Sequence, residues 1–160
     1  MERLWSPWRF QYVSGSAQTE GCLFCDALER SDAAELILFR GATAYVILNL
    51  YPYNNGHLMI VPNRHIGSLA SASPAELMEL TDLTRRAEIA ITEVYHPQGI
   101  NLGMNLGASA GAGVVGHYHQ HVLPRWSGDV NFMTAVGETR VVSEDLATTY
   151  EKLLPGFTEK

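Results

Sequence analysis

The chain has 160 residues, 46% of them hydrophobic and 18% charged, enough for one domain with a real core. Seventeen acids against eleven bases leave a net charge of -6; this lacks the positive field that a long phosphate backbone requires and excludes nucleic acid as the main partner, though not a single nucleotide. No apolar run approaches the roughly 18 residues of a membrane span, and Trp5, Pro7 and Trp8 stand where a signal peptide would carry its apolar run, so the expected compartment is the cytoplasm.

Leu4-Trp5-Ser6-Pro7-Trp8-Arg9-Phe10 is dense in aromatics for a terminus. Residues 1–20 are therefore expected to form an arm packed against the body or a partner subunit within a single 1–160 domain. Cys22-Leu23-Phe24-Cys25 holds both cysteines. In a cytoplasmic chain this C-x2-C is a zinc half-site, a redox pair or two incidental thiols. A zinc site needs two more ligands, for which His57, His65, His96 and His117 are available.

Leu36–Phe39 and Ala44–Leu48 are short β-favouring runs across Arg40-Gly41-Ala42-Thr43, which predicts a hairpin. Leu58–Val61 is a third strand, reached through the turn-rich segment Asn49–His57. Ser73-Pro74-Ala75-Glu76 is a capping box with proline at the first helical position. Behind it Leu77, Leu80, Thr84, Ala87, Ile91 and Val94 recur at helical spacing until His96-Pro97-Gln98-Gly99 stops them. This is the one long helix, with His96 placed to favour its dipole.

Ile100–Leu106 predicts a strand, and Gly107–Gly116 follows as a run of small residues. Gly111, Gly113 and Gly116 spell G-x-G-x-x-G, but that fingerprint must open a helix and this one runs towards a strand, so a dinucleotide fold is rejected. Small residues still let main chain approach a ligand and turn N–H groups towards phosphate oxygens. Ser143-Glu144-Asp145-Leu146 predicts a short closing helix. The order of elements gives an α+β domain with an antiparallel sheet.

Gly116-His117-Tyr118-His119-Gln120-His121-Val122-Leu123-Pro124 carries three of the six histidines at a spacing of two. In extended backbone His117, His119 and His121 share a face, with Pro124 expected to end the strand. At about 3.3 Å per residue the outer pair lie roughly 13 Å apart, too far to share one ion with ligand bonds of about 2 Å. At least one of these rings is therefore expected to do chemistry. A neutral imidazole is nucleophilic near pH 7, and a phosphorus–nitrogen bond is labile enough to turn over.

This His-x-His-x-His pattern, with its preceding glycine-rich loop, resembles the histidine triad (HIT) family of nucleotide hydrolases and transferases. The resemblance extends from Leu4 to about Leu154, because the N-terminal Leu-Trp-x-Pro-Trp-Arg is similar to that of a bacterial branch that looks like dinucleoside-polyphosphate phosphorylases. It implies that His119 is the nucleophile, flanked by His117 and His121. It implies further that Cys22, Cys25, His65 and His117 hold a structural zinc, and that Asn49, on the ribose, and His57, of the Gly56-His57 pair, bind the substrate. Asn105, Gly111 and Gly113 would then cradle phosphate. A homodimer with sheets joined edge to edge is implied as well. The phosphorylases use a hydroxyl just before the triad to hold inorganic phosphate, whereas the equivalent position here is Gly113. The expectation is thus a hydrolase of adenylylated compounds working through a nucleotidyl-histidine. Phosphorylase and non-catalytic nucleotide binder are the alternatives.

Overall fold

The computed structural model describes residues 21–129 and 144–158. The expected arm at 1–20 and the segment 130–143 lie outside the described residues. Among the described residues two short helices come first, α1 (Leu23–Leu28) and α2 (Asp32–Glu35). Neither was anticipated, because runs of six and four residues carry too few turns for a periodic signal. The cysteine motif thus opens a helix, with Cys22 as its N-cap.

Five strands of the described residues form one antiparallel sheet: β1 (Ile37–Arg40), β2 (Ala44–Leu48), β3 (Leu58–Pro62), β4 (Gly99–Met104) and β5 (Gln120–Arg125). Their spatial order is β1-β2-β3-β5-β4, so β4 is an edge and β5 lies inside. Alternation divides the sheet into two faces. Val46, Leu48, Leu58, Ile60, Tyr118 and Val122 join the cluster beneath the long helix, while Ile37, Tyr45, Ile47, Met59 and Val61 pack with Phe24 and Ala27 of α1 on the other side.

The long helix α3 (Pro74–Tyr95) begins as its sequence requires: Glu76 N–H donates to Ser73 Oγ, and Ser73 N–H donates to the Glu76 carboxylate. Its buried stripe runs through Leu80, Leu83, Thr84, Ala87, Ala90 and Ile91. Leu83 replaces Leu77, which is exposed, because the stripe continues from Glu76 and Leu77 lies a further 100° round the helix. His96 ends α3 with φ 45°, an unusual left-handed cap for a residue other than glycine, and donates its N–H to Thr92 O. Helices α4 (Leu146–Leu153) and α5 (Pro155–Thr158) close the same face; Asp145 caps the first and Phe157 is buried from the second.

Two expectations about the histidine strand are corrected. The ladder begins at Gln120, not at His117, because the chain before it is held by the turn after β3: Tyr118 N–H donates to Ile66 O at 2.6 Å and the His117 ring bonds Pro62 O at 2.9 Å. Nor does Pro124 end the strand, since it pairs with Ile100 of β4. Its carbonyl accepts from Asn54 Nδ2 on the side where β3 has already stopped, so no N–H is missed there.

Candidate active site

Register aligns one row of side chains across the α1-covered face. His121 lies opposite Met59, Met59 opposite Ile47, and Ile47 opposite Ile37. Above this row is a cleft whose walls are α1, the segment after β2 and the glycine-rich loop. His119 and His121 line one part of it together with Asn105, Gly111 and Gly113. Phe24, Ala27, Ile47 and Met59 make the apolar floor, with Asn49 beside them. Gly111 has φ 89°, a conformation that glycine adopts at little cost and that lets the loop turn back over the cleft.

The hydrogen bonds define which ring nitrogens carry protons. His119 Nδ1 is 2.9 Å from the His117 carbonyl, which can only accept, so Nδ1 holds the hydrogen and Nε2 has the lone pair. Burial holds this imidazole below the usual histidine range, with the His117 carbonyl opposing. Neutrality and a single exposed lone pair are what a nitrogen nucleophile needs. A second chain runs behind His121. Tyr53 N–H donates to His57 Nδ1 at 3.1 Å, which leaves the His57 proton on Nε2, 3.0 Å from His121 Nδ1. His121 therefore accepts at Nδ1 and, when neutral, carries its own proton on Nε2 as a donor.

His57 is thus not where the sequence expectation put it. It is 1% exposed and does not line the cleft, but backs the lining residues His121, Tyr53 and Asn49. Asn49 lines the cleft and also accepts from Tyr51 N–H at 2.9 Å, so turn-forming and ligand-facing roles coexist in one side chain. Asn105 Nδ2 is 3.5 Å from Gly111 O, a weak bond that a ligand oxygen can displace. Ser109 lies in the exposed 3-10 turn Ala108–Ala110, away from the cleft wall. Glu35, at the end of α2, also lines the cleft; the sequence offered no sign of this, since only the β1–β2 register brings it there.

On the far side of Phe24 the ligand atoms of Cys22, Cys25, His65 and His117 lie within 4.8 Å of one another. His117 Nδ1 is 3.3 Å from Cys22 Sγ and 3.5 Å from Cys25 Sγ, and His65 Nδ1 is 3.4 Å from Cys25 Sγ. Zinc bonds of about 2.3 Å to sulfur and 2.0 Å to nitrogen give a tetrahedral S–N edge of about 3.5 Å. The spacing therefore fits a tetrahedral cation. His117 Nε2 donates to Pro62 O, which leaves Nδ1 unprotonated towards the thiols. Burial, with the neighbouring Cys22 thiol, pushes Cys25 up to about 11, and a central cation would invert that preference.

A family profile described as HIT domain matches residues 30–128. The chain is 40% identical over 157 residues to a protein of Mycobacterium tuberculosis named AP-4-A phosphorylase, covering 93% of this chain and 80% of the relative. It is 30% identical over 93 residues to a bis(5'-nucleosyl)-tetraphosphatase [asymmetrical] of Schizosaccharomyces pombe, covering 58% of this chain and 50% of that protein. Among solved structures, a Zn-bound histidine triad family protein of Mycobacterium smegmatis superposes with a TM-score of 0.69 at 26% identity, covering 85% of this chain and 92% of that one.

Proposed function

The chain belongs to the HIT family, and on that premise we propose that it is an enzyme hydrolysing adenylylated compounds, dinucleoside polyphosphates or related conjugates, through a covalent nucleotidyl-histidine. His119 Nε2 attacks the α-phosphorus and forms a nitrogen–phosphorus bond. The bond from phosphorus to the leaving group breaks, and that group departs with the electron pair, its oxygen accepting a hydrogen bond from His121 Nε2. Water then attacks phosphorus and displaces His119, whose Nε2 recovers its lone pair, and AMP leaves with a proton released to solvent. His57 holds His121 in the tautomer that donates. Asn105 and the loop at Gly111 and Gly113 bind the phosphate oxygens, and Asn49 binds the ribose.

The observation that best supports this reading is the 2.9 Å bond from His119 Nδ1 to the His117 carbonyl, which leaves an unprotonated nitrogen at the cleft. In the same reading Cys22, Cys25, His65 and His117 hold one zinc per chain. Four protein ligands leave no open position, so the ion is structural and contributes to folding free energy. The single domain, with residues 1–20 as an arm, a homodimer joined at a sheet edge, and a cytoplasmic location complete the proposal. Among the described residues no helix is long and apolar enough to cross a membrane.

A second reading is favoured by the Mycobacterium tuberculosis relative: inorganic phosphate replaces water as acceptor, and ADP replaces AMP as product. One experiment separates the two readings. Diadenosine tetraphosphate and simple adenylyl conjugates are incubated with and without inorganic phosphate, and the products are identified. AMP formed in both conditions supports the hydrolase, ADP formed only with phosphate supports the phosphorylase, and no turnover sinks both.

A further inference from the structure

The cleft has a polar group at the end opposite the histidines. Counting along the register row from His121 through Met59 and Ile47 to Ile37 gives three strand spacings, or about 14 Å at roughly 4.8 Å each. Glu35 precedes Ile37 by two residues, at that far end, and lines the same cleft. Leu48 N–H donates to Leu36 O, which brings the end of α2, with Glu35, beside the segment that carries Asn49. The order along the cleft is therefore histidines, Asn49, Glu35. It is also the order of phosphate, ribose and base in a nucleotide.

The Glu35 side chain is 16% exposed and its Oε1 accepts from Arg30 Nη1 at 2.9 Å. A carboxylate can take several hydrogen bonds, so this ion pair leaves Oε2 and further lone pairs available. Near the phosphates such a charge would repel substrate. Three strands away it is an acceptor-only group at the edge of an apolar slot, which distinguishes an amino group from a carbonyl on a base.

We propose that Glu35 reads the base and selects nucleobases that present an exocyclic amino group, as adenine does, over the oxo counterpart hypoxanthine. This rests on the nucleotide reading above and adds the specificity that reading lacks. Hypoxanthine would set its carbonyl oxygen against the carboxylate with no hydrogen between the two acceptors. Glu35→Gln has the same shape, but its amide can turn to offer either a donor or an acceptor, so the variant should lose discrimination without losing the slot.

The test uses binding, so that it does not depend on turnover. Affinities of AMP and IMP are measured by calorimetry for wild type and Glu35→Gln, with melting curves to show that both fold. The expected result is a preference for AMP on the order of 10- to 100-fold in wild type, collapsing to within a few-fold in the variant. Equal affinities in wild type, a preference that survives in Glu35→Gln, or no binding of either nucleotide overturns the proposal. Turnover of diadenosine tetraphosphate measured alongside reports separately on the proposed reaction, which can stand while the assignment of Glu35 falls.

Discussion

At the scale of single residues, position along a strand and proton location are different properties. The alternation of His117, His119 and His121 is visible in the chain, yet their unlike roles come from what each ring touches: Pro62 O, His117 O and His57 Nε2 respectively. If His119 Nε2 is the nucleophile, His119→Asn and His119→Gly should lower turnover at least ~10⁴-fold while the melting temperature changes little. Rapid-quench trapping should find adenylylated wild type and none in the variants. Label on His121, or wild-type turnover in either variant, would overturn the assignment. Asn105 bonds only weakly to Gly111 O, so its amide is available to the transition state. Asn105→Ala should then cost about 3 kcal/mol in kcat, near 100-fold, with KM almost unmoved; an unchanged kcat makes it a bystander. Glu35, by contrast, has no local signature in the sequence, because its place depends on a hairpin register.

At the scale of elements, the best-marked boundary is the start of α3. Its capping box is shared with a second element, since Arg64 Nε and Nη2 donate to the Glu76 carboxylate at 3.0 and 2.8 Å. The Arg64 guanidinium first, and the Ser73 bonds after it, lower Glu76 from 4.5 to about 2 against the effect of burial. Because the folded value lies below the unfolded one, this stabilisation is complete above about pH 4.5 and is lost as pH falls towards 2. Glu76→Gln should therefore melt below wild type at pH 7, and the gap should close by about pH 2; a gap independent of pH would show that the charge is idle. The four residues proposed to hold zinc come from α1 and its N-cap, the turn after β3 and the approach to β5, so the ion would tie three elements together. Metal analysis of untagged protein should find one zinc per chain, and a chelator should lower the melting temperature. Zinc absent from wild type, or retained in full by Cys22→Ser, would remove it from the account.

At the scale of the molecule, β4 is an edge strand among the described residues, with Leu102 and Met104 exposed on it and Leu106 just beyond. Such an edge invites another strand. If two chains join there, wild type should run at dimer mass in light scattering and Leu102→Lys should shift it to monomer. A variant that stays dimeric locates the interface elsewhere. The sequence alone determined the class of the fold, the hairpin, the long helix with its cap, and the histidine row from which the cleft takes His119 and His121. Each of these is a local pattern of period two or period 3.6, or a side-chain chemistry that needs no neighbour to be recognised. The tertiary structure decided what depends on contacts between segments remote in sequence. These are the late start of β5, Pro124 inside a strand, His57 behind His121 in place of a substrate contact, and Glu35 at the far end of the cleft. The cysteine motif lies between these cases. Its spacing marked half of a four-residue Cys and His cluster in the chain, but only folding brings His65 and His117 within reach, because register and helix packing, not sequence distance, set which atoms meet.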